Sequence, residues 1–154
     1  MRELIDAVVT ALEQAGISAL AALPAGELTL SESPRAAVGL SKAARGATTY
    51  LGQDDQGQEL YGSSVQAQLY VQVYGPLALG GAACTETADQ VCQTLLEGVQ
   101  GLTVTDVTLG QCRYDGDADC FLTTVTMNAA GYVYAARDED AGEFTGFCLK
   151  GALG

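Results

Sequence analysis

Histidine is absent from this 154-residue chain, which removes Ser-His and Cys-His nucleophilic pairs from consideration. Thiols are the next candidates. The five cysteines are Cys84, Cys92, Cys112, Cys120 and Cys148, and none forms a CxxC pair, so the spacing supplies no thiolate set for zinc. Cys112 and Cys120 bracket RYDGDAD, residues 113–119, where a hairpin can bring them face to face; spacing alone leaves that disulfide open. Asp115, Asp117 and Asp119 resemble the start of a calcium loop. The glycine and the glutamate that such a loop requires further on are replaced by Cys120 and Thr126, so a solvated turn is expected. Ser41-Lys42 lacks the Ser-x-x-Lys spacing, and the Gly-rich piece LGGAAC lacks the Lys-Ser/Thr ending of a phosphate loop. Glu86 and Asp89, just beyond that piece, would repel a phosphate from a helix start there. The reading is therefore of a non-enzyme with no catalytic residue, metal set or cofactor.

Charge narrows the partners. Seven basic residues against 19 acidic ones give a net charge of −12. Tight nucleic-acid binding releases counterions through Lys and Arg, and anionic membranes attract the same residues, so neither partner is expected. Acidity suits solubility, and it equally suits a passage through which DNA slides without sticking. The chain is 48% apolar, enough for one core, and its length fits a single domain over residues 1–154. No apolar run approaches the roughly 18 residues of a membrane span. The opening MRELIDAVVTALEQAG carries Glu3, Asp6 and Glu13, unlike the basic start and unbroken apolar run of a signal peptide. Export by that route is not expected, and the odd cysteine count then points to reduced thiols.

The positioning elements follow from periodicity. Leu4, Ile5, Val8, Val9 and Leu12 make a helical stripe over residues 3–15, ended by Gly16. Residues 35–43 are weakly strand-like. GATTYLGQDDQGQELYGSS, residues 46–64, reads as a long polar loop or a hairpin arm. Residues 65–74 alternate Val, Ala and Leu with Gln and Tyr, the strongest strand pattern in the chain. Gly75-Pro76 ends it. A small-residue connection over 77–84 leads to a helix from about Thr87 to Gly98, with Thr85 or Thr87 as N-cap and Thr87-Gln90 as a capping box. Its apolar positions are 88, 91, 92, 95, 96 and 99. Residues 102–109 and 120–134 read as Thr- and Val-rich strands joined by RYDGDAD; RDEDAGE, 137–143, reads as a charged turn, and 144–151 as a last strand or docking arm. These segregated runs predict an α+β fold, with an antiparallel or mixed sheet and both helices on one face. The other face would carry Gln, Tyr, Thr and Asn.

Four segments together resemble the tail terminator (tail completion) proteins of long-tailed bacteriophages and prophages: RELIDAVVTALEQAGI, VQAQLYVQVYGP, TADQVCQTLLEGV and FLTTVTMNAAGYVY. The resemblance implies a ring, hexameric in that family, that caps the head-proximal end of the tail tube and ends its polymerisation. It implies further copies of the chain, the tail tube protein and a head-neck connector as partners, with DNA only as passing cargo. The location implied is the virion tail, assembled in the bacterial cytoplasm. A tube, neck or baseplate subunit is the related alternative; a small cytosolic enzyme or ligand-binding domain is the alternative of another class. Candidate contact residues are Arg45, Tyr50, Asp54, Asp55 and Tyr61 in the arm, Tyr70 and Tyr74 on the strand, and Phe144 and Phe147 near the C-terminus. Tyrosine is enriched at protein contacts, which is the physical reason for selecting those on exposed faces.

Overall fold

The structure, a computed structural model, describes residues 2–21, 33–117, 119–136 and 148–150. Helix α1 spans Arg2–Gln14 and buries Leu4, Val8 and Leu12, three turns of one stripe. It ends in a Schellman motif: Ile17 N–H donates to Leu12 O at 3.0 Å and Gly16 N–H to Glu13 O at 3.0 Å, with Gly16 at φ +85°. Ile17 and Leu12 are both buried, which supplies the apolar contact that accompanies such an ending. The strands are β1 (Ala19–Ala21), β2 (Arg35–Arg45), β3 (Thr49–Gln53), β4 (Glu59–Pro76), β5 (Thr103–Leu109), β6 (Arg113–Asp115), β7 (Cys120–Ala136) and β8 (Cys148–Lys150); helix α2 spans Gly80–Glu97 between β4 and β5. This is the expected α+β architecture, with one mixed eight-stranded sheet: β1 runs parallel to β2, and every other pair is antiparallel.

The spine is the β4–β7 ladder, which pairs continuously from Leu60↔Ala136 to Pro76↔Cys120. At about 3.3 Å per residue its 18-residue strand β4 extends roughly 59 Å. Shorter strands flank it end to end, β2 and β3 along the free side of β4, and β6, β5 and β8 along that of β7. Both helices lie on one face. Leu4, Val8 and Leu12 of α1 and Cys84, Ala88, Val91 and Leu95 of α2 form one cluster with Val38, Val65, Leu69, Val71, Val73, Val125, Met127 and Val133. Burying each such side chain contributes about 1.5–3 kcal/mol, and two short helices depend on this shared surface for their stability.

Several boundaries differ from expectation. Helix α2 starts at Gly80 rather than near Thr87, so Thr85 and Thr87 are interior, and no side chain caps the helix. Thr85 Oγ1 instead donates back to Gly81 O at 3.0 Å. The helix sits close on β4 here, since a Cβ on Gly75 would stand 2.7 Å from Cys84 Cβ, and this contact holds the glycine- and alanine-rich first turns despite poor helix propensity. Leu96 was expected on the core face but is 62% exposed, because the stripe runs through 84, 88, 91 and 95. Residues 46–64 form a hairpin arm, and β4 begins inside it at Glu59. The first half of RYDGDAD is strand β6, with Asp115 paired to Cys120, so Cys112 does not oppose Cys120, and both are free thiols. The segments 137–143 and 144–147, with Phe144 and Phe147, lie outside the described residues; Cys148–Lys150 pairs with β7 as a strand.

Candidate functional site

Strand alternation sends Val65, Ala67, Leu69, Val71 and Val73 under the helices and leaves Gln66, Gln68, Tyr70, Gln72 and Tyr74 on the helix-free face. Register places Thr126 beside Tyr70, Thr124 beside Gln72, Asn128 beside Gln68 and Ala130 beside Gln66. The middle of this face therefore carries no charged side chain, in a chain with 19 acids. Among the described residues, charge on this face lies on the flanking strands. Lys42 stands beside Gln68 and Arg35 beside Tyr74 on β2, and Asp106 stands beside Asn128 on β5, where Asn128 Nδ2 donates to Asp106 Oδ1 at 2.8 Å. Lys42, Gln66, Gln68, Thr105 and Asn128 help line an open recess of ≈ 600 Å³ across these strands. By contrast, the groove along α1 and α2 on the opposite side is bordered by Glu3, Asp6 and Glu97.

The predicted contact residues fall in two places. Tyr70 and Tyr74 share the open face. The Tyr70 ring lies over Gly39, where a Cβ would stand 2.2 Å from ring Cζ, so this tyrosine covers a gap in its own sheet. Tyr74 Oη donates to Gln72 Oε1 at 2.8 Å, and partial burial raises the pKa of its phenol. The arm holds the others. Tyr50 and Tyr61 are register partners with ring centroids 5.4 Å apart, and Tyr50 is 53% exposed. Arg45 Nε donates to Ser63 Oγ at the arm's root, satisfying a wholly buried hydroxyl. Asp55 is exposed at the tip.

Asp54 builds that tip. Its Oδ1 accepts from Gln56 N–H at 2.9 Å and Gln58 N–H at 2.8 Å, while its own N–H donates to Gln58 O. An aspartate can mimic a backbone turn in this way. Asp54→Ala is expected to weaken the hairpin by about 1 kcal/mol, and Asp54→Asn to retain most of it; amide exchange at Gln56 and Gln58 measures the difference.

At the other end of the sheet, Tyr114 Oη donates to Asp119 Oδ1 at 2.7 Å, and its ring meets Phe121 edge-on at 6.2 Å. The hydrogen bond to Asp119, followed by that carboxylate's charge, raises the Tyr114 pKa. The folded value lies above the unfolded value of about 10, so the pair's contribution is present at neutral pH and is lost as pH rises through the folded value. Phenolate absorbance should show Tyr114 ionising later than a free tyrosine, and Asp119→Asn should return it toward the ordinary range.

Sequence periodicity located the polar face through its Gln, Tyr, Thr and Asn residues. It missed Lys42, Thr105 and Asp106, because β2 and β5 carry bulges at Leu40/Lys42 and Val104/Asp106 that change which residues face out. Weak alternation around Gly39 was the available signal. In class, the molecule is an α+β domain with a one-sided helical layer, a neutral polar sheet face and a projecting hairpin. Comparison of the chain with protein-family models and with curated proteins finds no match.

Proposed function

We propose that this chain is a structural ring subunit of the phage tail terminator kind. About six copies close into a ring that caps the head-proximal end of a tail tube, stops its growth and offers a surface to the head neck. The observation that carries the reading is the uncharged Gln-, Thr- and Tyr-bearing middle of the helix-free face, beside a hairpin arm with an exposed tyrosine. Burying neutral amides, hydroxyls and phenols against a partner avoids the desolvation cost of burying charge, and interface cores are depleted in charge for that reason. The acidic helix side suits a DNA passage, where phosphate must not adhere.

Electron microscopy and mass measurement of the purified protein test this, with closed rings of about six copies expected. Open-ended tubes would make the chain a tube subunit. A strict monomer at high concentration that ignores tube ends would remove the ring reading. The double change Gln68→Glu with Thr126→Glu places two like charges at the centre of the face. It should abolish assembly while leaving the far-ultraviolet spectrum unchanged, since Gln68 and Thr126 lie outside the core.

A further inference from the structure

Two thiols meet where α2 begins. Cys84 is wholly buried; its Sγ donates to Val73 O at 3.3 Å and lies 3.4 Å from Thr123 Oγ1. The helix sits directly on β4 here, since a Cβ on Gly75 would stand 2.7 Å from Cys84 Cβ. Cys112 is half-buried in the connection between β5 and β6, and its Sγ donates to Gly81 O at 3.8 Å. Gly81 and Cys84 are three residues apart and so are neighbours on one helix face. From the sheet side, continuing the register from Arg113↔Leu122 brings Cys112 level with Thr123, the residue that Cys84 touches. Helix and sheet thus bring the two thiols together over Thr123. Cys120 is an odd number of residues from Thr123 and points to the other face of β7.

We propose that Cys84 and Cys112 are an oxidation-sensitive pair, closed by a low-molecular-weight disulfide into an intramolecular bond that ties the first turn of α2 to the β5–β6 connection. Cys112, the more exposed thiol, reacts first: its thiolate attacks one sulfur of the reagent RSSR, the reagent's S–S bond breaks, and RS⁻ leaves. Cys84 then loses its proton to solvent, its thiolate attacks Cys112 Sγ, the mixed disulfide breaks, and a second RS⁻ leaves. The two thiols give up two electrons and two protons, and RSSR becomes two RSH. Burial first, with the charge and hydrogen bond of Cys112 adding to it, raises the Cys84 pKa. The second step therefore accelerates as pH rises toward that value.

The full-length protein is incubated with oxidised glutathione at pH 7 and pH 9, alkylated, digested and mapped by mass spectrometry. The expected result is a loss of about 2 Da per chain, one Cys84–Cys112 cross-link formed faster at pH 9, and a rise in Tm on the order of 5–10 °C. Cys112→Ser, a change at a half-buried position, should abolish the cross-link, and Cys120→Ser should leave its yield unchanged. Cross-links through any other pair, links only between chains, or a Cys112–glutathione adduct that never resolves at pH 9 would each overturn the proposal.

Discussion

Leu69→Ala should lower the stability of this domain by about 3–4 kcal/mol, among the largest losses available from one truncation. Leu69 is wholly buried at the middle of β4, with Leu40 and Met127 as its register partners on the flanking strands. Removing its branched end takes away apolar contact and leaves a hole that two helices and a continuously paired ladder cannot close by shifting. A domain with a typical stability of about 5–15 kcal/mol would lose a large fraction of it. For a chain of this size the fall in Tm is roughly 6–16 °C. Leu69→Met nearly preserves volume and should cost less than about 1.5 kcal/mol. Thermal and urea unfolding of both variants distinguish cavity formation from a general intolerance of change: equal losses would contradict the packing account.

Gly62→Ala should have a different and more local effect. Gly62 stands at the root of the arm opposite Tyr134, and a Cβ there would lie 2.3 Å from Val133 O and 2.7 Å from Tyr134 Cα. Both are backbone atoms, so no rotamer change relieves the clash; β4 and β7 must separate. A strained strand pairing of this kind costs on the order of 1–3 kcal/mol if the ladder holds. The cheaper response is local opening at the nearby strand end. Hydrogen exchange should therefore accelerate by about 100-fold at Tyr50, Gln53 and Tyr61, while amides around Leu69 and Val125 stay protected. Gly39→Ala is the contrasting change: the nearest atoms to the added methyl all belong to the half-exposed end of the Tyr70 side chain, not to backbone. If the arm is the element that reaches a neighbouring copy, Gly62→Ala should also impair ring formation more than Gly39→Ala does.

Much of the architecture was legible in the residues. Helix α1 was readable because Leu4, Val8 and Leu12 repeat at helical spacing and Gly16 can adopt positive φ at its end. The spine was readable because residues 65–74 alternate strictly and residues 124–133 alternate in the same way, so one face must be covered; at its start β7 breaks the pattern, with Cys120, Leu122 and Thr123 all buried. The absence of histidine excludes Ser-His and Cys-His nucleophilic pairs within these 154 residues. These signals are local: period, capping and residue type each need only a short window.

What remained belongs to distant contacts. The start of α2 at Gly80 depends on Gly75 letting the helix approach β4 closely at Cys84, a tertiary effect that the low helix propensity of Gly80 and Gly81 opposes. The faces presented by Lys42 and Asp106 depend on bulges whose positions are defined only against a partner strand. The meeting of Cys84 and Cys112 needs a helix turn, a β-ladder register and Thr123 between them, residues far apart in the chain. The sequence by itself determined helix α1, the body of α2, the two long central strands and the polar character of one sheet face, because local periodicity dictates burial. Only the tertiary structure decided register, bulges, helix onset and thiol proximity, because each is a relation between segments that pattern alone does not pair.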